Sequence, residues 1–392
     1  MKRTHLVVFS LLSLMTYAAV ASPSTPAVGV NCNTGQSLNS AISKLDKNTP
    51  ATVSVVGTCT EYVQVTGFSN LTIKGQKGSK LVQPSSSAGD LFNTLLMIES
   101  SKSVTVDGLN VQADTTTVPA VGIGHGSSDI RLRNMTITGG IFGIMVFEAS
   151  QVSIAYVTAQ DPGYASLGIY DLSDVHLEHS SFSNSSGDLW HVGVALGASH
   201  VTMYATAITN MQQGITGAGG SIVDIVNYNT YYNTGGSTDV TINNPAGTNY
   251  NGVVIDTGGS LNVSSAKLVI NKAGQTWGGT TGGVLISDGA ALNAGSGLLV
   301  ITGSNGQGVV AMNNSHATLF GATVIMGAHG GLVAANLSSF DVGSGSSLSA
   351  VGGNSVDLFC DAGSTIVGTL NLSGAPTSQC TNLLSGETVA LP

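Results

Sequence analysis

From residue 143 onward the chain returns to a twelve-residue pattern: Gly, apolar, any, apolar, three turn residues, Ser or another small residue, any, apolar, any, apolar. It reads GIMVFEASQVSI from Gly143, GVVIDTGGSLNV from Gly252, GVLISDGAALNA from Gly283, GVVAMNNSHATL from Gly308 and GLVAANLSSFDV from Gly331. Each copy alternates apolar and other positions with a period of two on either side of a small-residue turn, which predicts two half-buried strands joined tightly.

The apolar residue that opens the second strand recurs at Ile130, Val152, Val175, Val201 and Ile222, at spacings of 22, 23, 26 and 21 residues. After a longer gap the series continues at Leu261, Leu292, Ala317 and Phe340. A period in the low twenties carried by strands predicts a β-solenoid; leucine-rich repeats share the period, but their Leu/Asn consensus is missing here. The expected fold is therefore all-β: one right-handed parallel β-helix with three short strands per coil, its narrow interior filled by stacked Val, Ile, Leu and Ala.

Ahead of the coils, GQSLNSAISKLDK from Gly35 places Leu38, Ile42 and Leu45 on one helical face and predicts a short N-terminal capping helix over the first coil. The strands VSVVG from Val53, EYVQV from Glu61 and NLTIKG from Asn70 then begin the stack. Two stretches interrupt the rhythm, Asn227 to Asn251 and Gly274 to Gly282, and read as excursions from a turn.

The first residues add a compartment. Lys2 and Arg3, an apolar run from Leu6 and the Ala19-Val20-Ala21 triplet have the form of a signal peptide cleaved after Ala21. The predicted plan is a signal peptide over 1–21, an N-terminal segment with the capping helix over 22–52, and the β-helix over 53–392. The expected location is secreted or periplasmic, with no membrane span. Four cysteines suit that compartment as two disulfides, Cys32 with Cys59 and Cys360 with Cys380, one staple at each end of the stack.

Only 8% of residues are charged and the formal net charge is -9, so there is no basic stripe for nucleic acid. The excess of Gly, Ser and Asn belongs to the turns, where positive φ and side-chain to backbone hydrogen bonds are needed.

With these features the chain resembles the right-handed parallel β-helix proteins of the pectin lyase-like superfamily. The resemblance rests on the repeat and on SSDIRLRNMTITGG from Ser127 and GTCTEYV from Gly57, the latter similar to exported bacterial members without assigned activity. It implies the fold; the superfamily includes polysaccharide lyases, glycoside hydrolases, esterases and epimerases as well as adhesins. The Asn-Thr-Asp, paired-Asp, Gly-His-Gly and Arg-Ile-Lys motifs of its polygalacturonase branch are not reproduced. Only Gly124-His125-Gly126 matches one of them, and no methylesterase set of paired Asp, Gln and Arg can be assembled.

Chemistry-bearing residues gather on the central coils. Arg131 and Arg133 are the only arginines after the signal peptide, and five histidines, His125, His176, His179, His191 and His200, lie between 125 and 200. Anchoring each coil on its second strand predicts an outward column of His125, Phe147 and Tyr170, with Glu148 beside Asp171 in the adjoining turn. On the second strand it predicts one column of Arg131, Ser153 and His176 and another of Arg133, Ala155 and Glu178. Anchoring instead on Gly168 takes Asp171 out of register with Glu148.

Together these residues describe a shallow groove whose expected partner is a polysaccharide or other glycan. Glu148 and Asp171, one coil apart, suit the acid and the nucleophile or base of glycoside cleavage, with His125 and Arg131 as further catalytic candidates. Arg133 and Arg131 suit a uronate carboxylate; Phe147, Tyr170, His176, Glu178 and Trp190 complete the candidate binding set. A lyase, in which arginine stabilises an enolate-like charge, uses the same groove.

No cofactor or metal is expected from His176 and His179, which a strand points to opposite faces. The nearest approach to a calcium site is Asp161 with Asp188 in successive loops, beside Tyr164 and Trp190-His191. Tyr228, Tyr231, Tyr232, Tyr250 and Trp277 in the excursions form a candidate stacking platform. The bland reading of the same groups is turn capping and solvated ion pairs. An adhesin-like rod without catalysis is accordingly the second functional expectation.

Overall fold

The computed structural model describes residues 26–85, 94–114, 118–185, 191–227, 238–244, 251–273, 281–304, 306–326, 330–343, 346–349, 358–361, 363–368, 371–373 and 380. The signal-peptide residues, Asp188, Trp190, Tyr228, Tyr231, Tyr232, Tyr250 and Trp277 lie outside the described residues.

The chain winds into a parallel β-helix of about 11 turns. Strands from Val63–Thr66 to Leu358–Cys360, one per coil, stack in a 12-stranded parallel sheet that forms the first face. The remaining 25 strands form the second and third faces. These two join where Ile130–Thr138 and Gln151–Gln160 run unbroken round a corner, which each turns on a single left-handed residue, Asn134 and Tyr156. Inside, side chains stack coil upon coil: Leu132, Ile154, Leu177, Met203, Ile225 and Val263 occupy one column, all fully buried.

Two rows of small residues set the corners. At the start of the first face, Gly193, Gly214, Gly252, Gly283 and Gly308 stack so closely that a Cβ on Gly252 would lie 2.6 Å from the Gly283 carbonyl oxygen and 2.4 Å from Ile270 Cγ2. These glycines include opening residues of the twelve-residue pattern, so the repeat records a packing constraint. After the first face, buried serines form a ladder in which each Oγ accepts the N–H of the serine one coil earlier. It runs from Ser101 through Ser127, Ser150 and Ser173 to Ser199, each bond 3.2 Å. The buried turn amides gain partners that no strand ladder could supply.

The register follows the predicted one with two corrections. Val201 pairs with Val223, while Ile222 pairs with His200 and is exposed. Both residues are apolar, so the pattern could not choose; burial of Ser221 in the serine row decides. Second, the stretch read as an excursion contains Val240–Asn243, a third-face strand paired with Ala207–Thr209 and Lys267–Asn271.

At the N-terminus, Ala27–Asn31 pairs with Ala51–Val56, so pairing begins ahead of the strand expected at Val53. The capping helix spans Leu38–Ser43 and buries Leu38 and Ile42. Ser37 caps it, and the Glu61 carboxylate accepts from the N–H groups of Leu38 and Asn39, at 2.6 and 3.2 Å, where the helix dipole favours an anion. Cys32–Cys59 and Cys360–Cys380 are both disulfides. No helix among the described residues is long and apolar enough to cross a membrane.

Candidate functional site

The corner between the first and second faces is a two-residue turn with positive φ, closed by the ladder serine. His125, Glu148 and Asp171 occupy its first position in three successive coils, with φ of 54°, 55° and 57°. Backbone bonds fix the register: the Gly126 N–H donates to the Glu148 carbonyl and the Ala149 N–H to the Asp171 carbonyl. Glu148 and Asp171 are therefore column neighbours, as the second-strand anchoring predicts.

His125 joins that turn column, which corrects its expected place beside Phe147 and Tyr170. The residue actually in their column is Gly124, itself paired with Glu99 of the preceding coil. The cause is the turn: positive φ begins at His125, so the strand ends one residue earlier than alternation implies.

Geometry around His125 is the strongest polar feature of this surface. Its Nδ1 lies 2.5 Å from Glu148 Oε2 and its Nε2 lies 3.5 Å from Glu99 Oε2, so one imidazole is held between two carboxylates. His125 and Glu148 are half exposed, at 49% and 48%, which leaves both open to a ligand. Glu99 is further fixed by the Thr66 hydroxyl at 2.8 Å. Sequence reasoning missed Glu99, because the repeat was read from Ile130 onward and the coil carrying Leu96–Glu99 lies before it.

Rings floor the adjacent column. Phe147 lies where a Cβ of Gly124 would stand, 2.4 Å from the ring, and Tyr170 covers the bare backbone of Gly168 and Gly197. Phe142 meets Tyr170 and Tyr164 edge-on at 6.0 and 5.4 Å, and Phe147 meets His125 the same way at 5.8 Å. Burial pushes the Tyr170 phenol up to about 12, and Tyr164 beside it adds to the rise.

The arginines stand across the corner on the second face. The predicted columns hold there: Arg131 pairs with Ser153 and Ser153 with His176, Arg133 with Ala155 and Ala155 with Glu178. Arg131 places Nη2 at 2.8 Å and Nε at 3.0 Å from Asp129 Oδ1, and it lines an open concavity of about 470 Å³ with Thr52, Thr72, Thr105 and Asp129. The single groove expected from sequence is thus two surfaces, an acid-histidine column at the first corner and an arginine face beyond it.

His176 approaches Glu178 at 3.6 Å, while His179 stacks on Tyr156, so the two histidines serve different neighbours. Of the calcium candidates, Asp161 accepts the Ser185 N–H at 2.6 Å, a loop-closing bond, and Asp188 is outside the described residues. The one cluster of three metal-ligand side chains among the described residues is Cys32, Cys59 and Glu61, whose sulfurs are spent in the disulfide.

No protein-family model matches the chain, and no curated protein matches it. Solved structures similar to it include the catalytic domain of a GH87 alpha-1,3-glucanase in complex with nigerose, at 14% identity and a TM-score of 0.39, covering 94% of this chain and 70% of that one. Another is the polygalacturonase from Erwinia carotovora ssp. carotovora, at 11% identity and a TM-score of 0.38, covering 93% and 99%. A third is the receptor-binding protein of bacteriophage Det7, a tailspike, at 10% identity and a TM-score of 0.37, covering 92% and 76%. Likeness at that level assigns no activity, and the fold stands on the chain's own strand register.

Proposed function

We propose that this is an exported carbohydrate-active protein whose site is the first corner of the central coils, and that its reaction is glycoside hydrolysis. The observation that carries the reading is the turn column itself. Where later coils place Asp288, Asn313 and Asn336 and link them by side-chain hydrogen bonds of 2.8 Å, the central coils place His125, Glu148 and Asp171 beside a floor of rings. Asp288 is a carboxylate too, but it is tied into a ladder with asparagines, whereas Glu148 is held by His125, so the central coils bring two titratable groups into contact at this turn.

Glu148 and Asp171 supply two carboxyls on adjacent coils, which stand about 4.8 Å apart in backbone. A covalent, retaining mechanism usually has its carboxyls about 5–5.5 Å apart, a separation that side chains on neighbouring coils can reach once Glu148 turns from His125 towards Asp171. One carboxyl attacks the anomeric carbon while the other protonates the leaving oxygen; water then releases the sugar. His125, tethered to Glu148, positions that carboxyl, and Phe147 and Tyr170 stack against sugar faces. Hydrolysis is favoured over elimination because Arg131, the candidate for enolate stabilisation, is paired with Asp129 on another face.

The downstream ladder of Asp288, Asn313 and Asn336 is the observation that favours a second reading, in which the whole column is structural and the protein is a non-catalytic rod. Purified protein incubated with a panel of neutral and acidic polysaccharides separates the two. New reducing ends without unsaturated-uronate absorbance, lost in Glu148→Gln, are expected. Unsaturated uronate would replace hydrolysis by elimination, and silence across the panel would leave the rod.

A further inference from the structure

We infer a second ligand site, distinct from the first corner, at the corner between the second and third faces, and assign to it a uronate or other carboxylate-bearing sugar residue. The residues are Arg133, Tyr156, His179 and Glu178. Arg133 is exposed and, among the described residues, has no ion-pair partner, in contrast to Arg131; Asp107, its column neighbour on the preceding coil, accepts from Asn134 Nδ2 at 2.8 Å instead. Between Arg133 and Glu178 in their column stands only the methyl of Ala155, so no long side chain intervenes between the cation and the acid two coils on.

Beside that column Tyr156 and His179 occupy the left-handed corner position in successive coils, with φ of 56° and 46°. Their rings are stacked, 4.9 Å apart and 3° from parallel, and the edge of buried Tyr204 abuts His179 at 4.9 Å. His179 is thus held from two sides, and it holds Tyr156 in turn. Tyr156 remains 57% exposed, so the ring held by His179 is open to a ligand.

A rigid, exposed ring next to an unpaired guanidinium is complementary to a particular chemistry. The ring takes the apolar C–H face of a pyranose, and the planar guanidinium takes a carboxylate through paired hydrogen bonds. Glu178, 3.6 Å from His176, is placed to accept from sugar hydroxyls. A neutral glycan would gain nothing from the Arg133 charge, and a carboxylate without a ring would leave Tyr156 uncovered, so the pair favours an acidic sugar.

Calorimetric titration with a short oligogalacturonide and with its fully methyl-esterified form tests the assignment. The acid form is expected to bind, the ester at least about tenfold more weakly, and added salt to weaken the acid form, as partly exposed charges require. Arg133→Gln and Tyr156→Ala should each lower affinity about tenfold or more, while Lys44→Gln, which removes an exposed cation at the end of the capping helix, leaves it unchanged. Arg133→Gln keeps the exposed stem and leaves the ring stack untouched, so its result stands whether or not Tyr156→Ala folds. No binding by the unaltered protein, equal binding by Arg133→Gln, or an equal loss in Lys44→Gln would overturn the site; the first-corner reading is tested separately by the release of reducing ends.

Discussion

Glu148 holds φ near +55°, a conformation that costs an ordinary L-residue roughly 1–2 kcal/mol and that Asn adopts readily. The same corner position is Asn at 313 and 336, so the fold has an amenable residue for it and does not use it at 148. Ala198 and Thr257 hold positive φ in the same column, so strain alone does not mark Glu148; its contact with His125 sets it apart. Tyr170 is the other informative residue at this scale. Its phenol is raised from 10.0 to about 12, so the folded state holds the neutral form more tightly than the unfolded chain does. Its contribution to stability is therefore complete below pH 10 and is lost as pH rises towards 12. An ultraviolet titration of tyrosinate should show a late-ionising step that disappears in Tyr170→Phe; removal of an ordinary early step instead would contradict its burial beneath the aromatic cluster.

The elements of this fold are short, and their corners carry the specificity. Gly252→Ala should lower stability by about 1–3 kcal/mol, because the new methyl meets the Gly283 carbonyl and Ile270 in a packed interior. Gly295→Ala, where a Cβ would meet nothing within 4 Å, should be neutral or slightly stabilising. Thermal melts of the two variants make the comparison, and equal melting temperatures would contradict the stacking constraint. The strands and this glycine row were legible in the sequence because each repeats coil after coil. Glu61's capping of the helix was not, since the acid is far along the chain and only tertiary winding brings it to Leu38. Val223 rather than Ile222 in the core was not legible either, because alternation cannot distinguish two adjacent apolar residues.

Across the whole molecule the regular rod makes small departures visible. The columns of Arg131, Ser153 and His176 and of Arg133, Ala155 and Glu178 could be written down from spacing alone; the neighbourhood of Glu148 and Asp171 followed from one anchoring and not from the other, and the Ala149 to Asp171 backbone bond decides it. What spacing could not show was on which side of a corner each column lies. Turns of two residues or one swing the next strand onto another face, and the arginines and the acids part company there. Glu99 and the Tyr156–His179 stack also escaped notice, the first for lying ahead of the clearest repeats and the second because its members sit at a corner, outside the alternation. The rod thus carries an acid-histidine column at one corner, an aromatic-arginine cluster at another, and a polar side-chain ladder through its later coils.

If Glu148 serves chemistry at the expense of the turn it occupies, replacing it by the residue that turn prefers should separate stability from activity. Thermal melting and release of reducing ends would be measured together on the wild-type protein and Glu148→Asn. The variant should melt at a higher temperature, by the equivalent of several tenths to about 1 kcal/mol, and lose its activity. A variant that melts lower than wild type, or that keeps the activity, would contradict that role for Glu148.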